Sequence, residues 1–144
     1  MTTMSLMRAF EIGAAGLSAQ RTRMETVASN LANARTTRTP EGGPYRRRAP
    51  VFAAEPIDAS FSDVLGNALR TVRVERVAFD DAPPLMRYEP GHPDADASGM
   101  VAYPNVDPVK EMVDMISATR SYEANVTLIK GVRDMGRAAL QIVR

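Results

Sequence analysis

Proline is absent from Ser5 to Asn33 and again beyond Pro108, so a long stretch at each end of this 144-residue chain can run as uninterrupted helix. In the first stretch apolar residues recur at heptad spacing: Leu6, Phe10, Leu17, Met24, Val27 and Leu31, with Gly13 and Gln20 filling two slots of the same stripe. The spacing predicts one amphipathic helix from Ser5 to about Asn33, roughly 40 Å long at ~1.5 Å per residue. So narrow a stripe suits a coiled-coil seam better than a broad globular face. Gly13, Gly16, Ala14, Ala15, Ala19, Ala28 and Ala32 keep the helix slim and permit close neighbours. Each glycine also costs about 1 kcal/mol relative to alanine, so the isolated helix is weak. Asn30 and Asn33 are expected to end it, because asparagine tolerates the left-handed conformation.

The second stretch opens with Asp107-Pro108, a capping residue followed by the proline that a first helical turn accepts, and continues to Arg144. Met112, Met115, Ile116, Tyr122, Val126, Ile129, Val132, Met135, Ala139 and Ile142 form its apolar side in a drifting heptad, and Gly131 and Gly136 weaken its distal half. Five of the nine methionines, Met4, Met7, Met24, Met112 and Met115, lie in these arms, where a flexible thioether serves an adaptable partner surface or an ordinary core equally well.

Between the arms the pattern changes. Residues 34–50 hold three prolines and the pair Gly42-Gly43 with no apolar periodicity, which predicts a loop or extended stretch turning at the glycines. Ser60 to Leu69 fits a short helix or an irregular loop, and residues 53–70 carry no recognisable motif. Thr71 to Phe79 alternates, with Val72 and Val74 on one face, then Val77 and Phe79 after a one-residue slip near Glu75-Arg76 that marks a bulge. Leu85–Tyr88 and Met100–Tyr103 are two more short strands, separated by a segment dense in turn formers. The fold expected is mainly α with a small β insert (α+β). Long N- and C-terminal helices, residues 1–33 and 107–144, pair as a coiled-coil-like arm, and residues 34–106 form a loop and β-rich insert whose own core is marginal. There is no β-α alternation of the kind that builds a nucleotide-binding sheet.

Composition removes several function classes. The 18 Lys and Arg against 17 Asp and Glu leave a net charge of +1, which disfavours a dedicated nucleic-acid or anionic-lipid binder. No cysteine is present, so disulfides, thiolate zinc sites and a cysteine nucleophile are excluded, and the single histidine, His92, makes a histidine-based catalytic or metal site improbable. His92, Asp94 and Asp96 are better explained as a turn whose aspartates bond nearby amides than as a metal cluster. Arg46-Arg47-Arg48 reads as solvated loop charge or a site for an acidic partner, and Gly42-Gly43 as a turn and no phosphate cradle. No cofactor, metal, small-molecule substrate or membrane insertion is expected, and no cleavable signal is visible in the first thirty residues. Charge does divide along the chain, +5 over residues 1–50, −6 over 51–108 and +2 over 109–144, a pattern that suits head-to-tail attraction between copies.

Three stretches together carry a resemblance. Ser29-Asn30-Leu31-Ala32-Asn33-Ala34, after Gly16-Leu17-x-Ala19-Gln20, is similar to the N-terminal helix motif of bacterial flagellar rod and hook proteins. Tyr88-x-Pro90-Gly91-His92-Pro93-x-Ala95-Asp96, with Gly99-x-Val101 and Pro104-Asn105-Val106, resembles the proximal-rod branch of the flagellar basal-body rod protein family, although Met100 stands where an aromatic residue is usual. Glu111-Met112-Val113-x-Met115-Ile116-x-Ala118-x-Arg120-Ser121-Tyr122-x-Ala124-Asn125-Val126 is similar to that family's C-terminal helix. The resemblance implies a structural, non-enzymatic subunit of the basal body, stacked helically into the periplasmic rod that transmits torque for motility. It also implies partners among copies of itself and other rod proteins, and type III export by the flagellar apparatus without a cleaved signal peptide. The alternatives are another rod or hook-junction axial protein, or a soluble helical adaptor module. Two helices of this length expose more stripe than a chain of this size can cover. The expected assembly interface is therefore Leu6, Phe10, Leu17, Met24, Val27 and Leu31 of the first arm with Met112, Ile116, Tyr122, Val126 and Ile129 of the last.

Overall fold

The computed structural model describes residues 2–57 and 69–142. Its elements are α1 (Thr2–Ala32), β1 (Arg48–Pro56), β2 (Arg70–Phe79), β3 (Leu85–Tyr88), β4 (Met100–Tyr103) and α2 (Pro108–Ile142). Two long helices and two antiparallel two-stranded sheets make a mainly α fold with a small β insert. The Ser60 to Leu69 segment, left open between helix and loop, lies outside the described residues save for Leu69.

The helices pair antiparallel. Contacts that advance along α1 retreat along α2: Gly13 faces Leu128 and Ile129, Gly16 faces Asn125, Met24 Sδ accepts from Thr119 Oγ1 at 3.6 Å, and Asn30 reaches Glu111. The two glycines are what bring the backbones together. A Cβ on Gly13 would stand 2.9 Å from Ile129 Cγ1, and one on Gly16 2.8 Å from Asn125 Nδ2. At these positions the helix-weakening glycines are sites of close approach. Ala19, Val27, Ala118 and Val132 are buried in this pair. The expected cap of α2 is present, with Asp107 Oδ1 accepting from Val109 N at 2.9 Å.

β1 and β2 form a ribbon that packs along α1 on a different flank from α2. Val51 pairs with Arg76 and Phe52 with Val74, so Glu75 is the extra residue of the bulge anticipated at Glu75-Arg76. β1 itself is a correction, since its first residues, Arg48 to Pro50, were read as part of a loop or extended stretch. Pro50 and Pro56 hide a strand that is possible because, in a two-stranded ribbon, alternate positions owe no N–H to the ladder. The β3–β4 hairpin, in register from Leu85 opposite Tyr103 to Tyr88 opposite Met100, matches the two short strands read from alternation. No strand packs extensively on α2.

The ending of α1 also differs from expectation. No non-glycine residue among those described has positive φ, so neither Asn30 nor Asn33 uses the left-handed conformation. Asn33 does stand at the end, its N and Nδ2 both donating to Ser29 O at 3.1 and 2.9 Å. Asn30 lies inside the helix and serves another purpose.

Candidate functional site

Asn30 sits one turn beyond Val27 on the inner face of α1, where periodicity calls for an apolar residue, and it is 0% exposed. Burying an amide is tolerable only if its hydrogen-bonding capacity is met. Here all of it is. Asn30 Nδ2 donates to Arg48 O at 2.8 Å and to Glu111 Oε2 at 3.0 Å, while its Oδ1 accepts from Arg48 N at 2.9 Å and Tyr45 Oη at 3.0 Å. Glu111, on the first turn of α2 and 1% exposed, accepts from Arg47 Nε at 2.7 Å through its other oxygen. Arg47 is also near Asp80 at 3.8 Å, and its O accepts from Asp80 N at 2.8 Å. One amide and one carboxylate thus fasten the end of α1, the 34–47 loop, the start of β1 and the start of α2 into a single junction. Ser29 Oγ lies 3.2 Å from Tyr45 Oη and extends it.

The arginine triplet is corrected accordingly. Arg47 is held by Glu111, Arg46 pairs with Asp81 at 2.5 Å, and Arg48 lies 5.2 Å over the Phe79 ring and 5.7 Å from that of Tyr45. These cations have partners within the chain because the junction and the β1–β2 ribbon fold back on the loop that carries them.

The turn between β3 and β4 follows its expected chemistry in the main. Asp96 Oδ1 accepts from Ser98 N, Ser98 Oγ and Met100 N at 2.8, 2.6 and 2.9 Å, and these bonds, the Ser98 hydroxyl first, hold the carboxyl below its usual range. His92 Nδ1 accepts from Asp94 N at 3.1 Å. Asp94 departs from the expected local role, accepting from Thr37 Oγ1 at 2.8 Å and so tying the hairpin to the 34–47 loop. Tyr103 donates to Glu89 at 2.8 Å, which raises the phenol's pKa. Gly99, at φ +78°, closes the turn beneath Tyr88, whose Cε2 leaves 2.8 Å for a Cβ. Pro104 is buried, Asn105 half-buried, and Pro90, Gly91 and Pro93 are exposed. Among the described residues no group of three His, Cys, Asp or Glu side chains is arranged to hold a metal ion, and no helix is long and apolar enough to cross a membrane.

The expected assembly residues divide into two sets. Leu6, Leu17, Met24 and Val27 of α1 and Tyr122, Val126 and Ile129 of α2 are buried or half-buried. Phe10, Leu31, Met112 and Ile116 stand exposed, as does Ala32. With Val109 and Val113, which the sequence reading left out, Met112 and Ile116 complete an exposed stripe at spacings of three, four and seven along the first turns of α2. The buried junction had a signal that went unread: Asn30 and Glu111 each interrupt the inward periodicity of a helix, the mark of a polar pair across the seam.

Comparison with known proteins agrees with the geometry. Residues 10–38 match the family model described as flagella basal body rod protein, and residues 97–142 the one described as flagellar basal body rod FlgEFG protein C-terminal. The flagellar basal-body rod protein FlgC of Borreliella burgdorferi is 42% identical over 98% of this chain and 99% of its own length. Those of Bacillus subtilis and Salmonella typhimurium are 43% and 44% identical, over 96% and 92% of this chain and 99% and 93% of theirs. With likeness sustained from the α1 seam through the junction to α2, the chain belongs to the FlgC family of flagellar basal-body rod proteins.

Proposed function

We propose that the chain is a structural subunit of the proximal rod, stacked helically with copies of itself and with other rod proteins so that torque for motility passes along the stack across the periplasm. It acts by holding its shape and place, with no reaction to catalyse. The observation that carries this reading is the combination of a locked subunit with an uncovered one-sided surface. The junction of Asn30, Glu111, Tyr45 and Arg47 couples both helices to the insert, so a load applied to one is delivered to the other. The Val109–Ile116 stripe remains for neighbours, and apolar area removed from water there contributes about 25 cal/mol per Å². A contact between unlike patches repeats instead of closing, so such a joint grows into a helix. The absence of a recognisable signal segment fits delivery by the flagellar export apparatus.

Imaging of basal bodies from a deletion strain tests this. The expected result is an absent rod above an intact export base, with the rod restored by the wild-type chain. A complete rod in the deletion strain would refute it. Ile116→Asp, on the uncovered face, is expected to leave synthesis and export intact while abolishing the rod; normal motility would count against the reading.

A further inference from the structure

Two exposed apolar patches outside the helix pair compete as seats for the α2 stripe. One lies on the β1–β2 ribbon, where Val77 and Phe79 stand opposite Pro50 and Arg48 on the face that Phe52 shares by alternation; all three are exposed. The other lies on the β3–β4 hairpin, where Met86 and Tyr88, 51% and 70% exposed, stand opposite Ala102 and Met100 on one face. Charge separates them. The α2 stripe is bracketed by the exposed cations Lys110 and Arg120. The ribbon patch is crowned by two more, with Arg46 and Arg48 each 5.2 Å over Phe79, so cations would face cations there. The hairpin ends in Glu89 and Asp96, and its own Arg87 alternates to the other face, 5.1 Å over Tyr103. Apolar and anionic, it complements a surface that is apolar and cationic.

We propose that the Met86–Tyr88 face of the β3–β4 hairpin of one copy seats on the Val109–Ile116 stripe of α2 of a second copy, Glu89 and Asp96 lying toward Lys110 and Arg120. The joint is heterologous, since hairpin and stripe are different surfaces, so each subunit offers one free half to the next. This rests on the rod reading above and names the surfaces that such stacking uses.

The chain has no cysteine of its own, so introduced ones report without background. Met86→Cys and Ile116→Cys, both at exposed positions, are expressed in the deletion strain and oxidised in purified basal bodies. The chain carrying both is expected to give dimers and higher ladders of itself. Each single variant is expected to give none, and the two singles expressed together to give dimers without ladders. Self-dimers of a single variant would mean like patches meet, and would overturn the proposal. So would adducts only with a different rod protein, or a chain present in basal bodies that does not cross-link. Cross-links from Ile116→Cys to Val77→Cys in place of Met86→Cys would select the ribbon and overturn the charge assignment. A chain missing from basal bodies altogether sinks the rod reading and this proposal with it, an outcome scored before oxidation. As a second measure, Lys110→Glu with Arg120→Glu is expected to lower the dimer yield of the two-cysteine chain roughly tenfold. An unchanged yield would overturn the charge assignment.

Discussion

α1 and α2 are near equals in length, 31 and 35 residues, yet they live in different surroundings. α1 is enclosed on two flanks, by α2 and by the β1–β2 ribbon, whereas α2 packs substantially on α1 alone. Their glycines make the difference concrete. Gly13 and Gly16 lie pressed against Ile129 and Asn125, while a Cβ on Gly131 or Gly136 would meet nothing within 4 Å. The same residue type is therefore a packing necessity in one helix and a plain loss of helix propensity in the other. α1 is the inner strut that completes the subunit, and α2 is the side left for something else to cover.

The largest effect should come from breaking the junction that joins the two. Glu111→Leu leaves Arg47 and one donor of Asn30 without their partner, and should cost about 3 kcal/mol of stability in urea denaturation. Val113→Ser, two positions on but 62% exposed, should change the subunit's stability by no more than about 0.5 kcal/mol. Equal losses would erase the distinction between the inner and outer faces of α2. Next comes Gly16→Leu, where the added side chain collides with Asn125 and should cost roughly 2 kcal/mol in the same assay. Gly131→Ala and Gly136→Ala should do the reverse, each raising stability by about 0.5 to 1 kcal/mol, because the helix gains propensity and nothing is displaced. A destabilised Gly131→Ala subunit would show that α2 is covered after all.

The smallest effect concerns pH. Asp96 has its carboxyl depressed in the folded hairpin, chiefly by the Ser98 hydroxyl, so the stability it contributes is present above the carboxylate's unfolded pKa. It is lost as pH falls through the lower folded value. Backbone amide exchange at Ser98 and Met100 should therefore quicken in acid before that of α1, and Asp96→Asn should flatten that dependence. A hairpin as acid-resistant as α1 would contradict it.

Local patterns made some of this legible. Proline-free stretches located both helices, alternation located β2 and its bulge at Glu75, and the two short runs at Leu85 and Met100 became the hairpin. β1 went unseen because Pro50, Ala53, Ala54 and Pro56 carry little strand propensity, and its pairing with β2 is a contact between segments far apart in the chain. Asn30 was read by its own preference, as a helix-ending residue, when its partners are Arg48 and Glu111, 18 and 81 positions away. The seam residues were legible as a class, but which of them the subunit covers itself was not. Phe10 and Val27 look alike in a heptad, and one is exposed and the other buried.

By itself, then, the sequence determined where helix can persist and where turns must fall, because those depend on backbone chemistry within a few residues. It also carried the family motif, since that is spelled in contiguous residues. Only the tertiary structure decided that Gly13 and Gly16 admit α2 and that Arg47 is held by a buried carboxylate. The same holds for the outer face of α2, left bare while α1 is enclosed. Burial and pairing are properties of segments brought together, and no periodicity within one segment says which of its faces another will occupy.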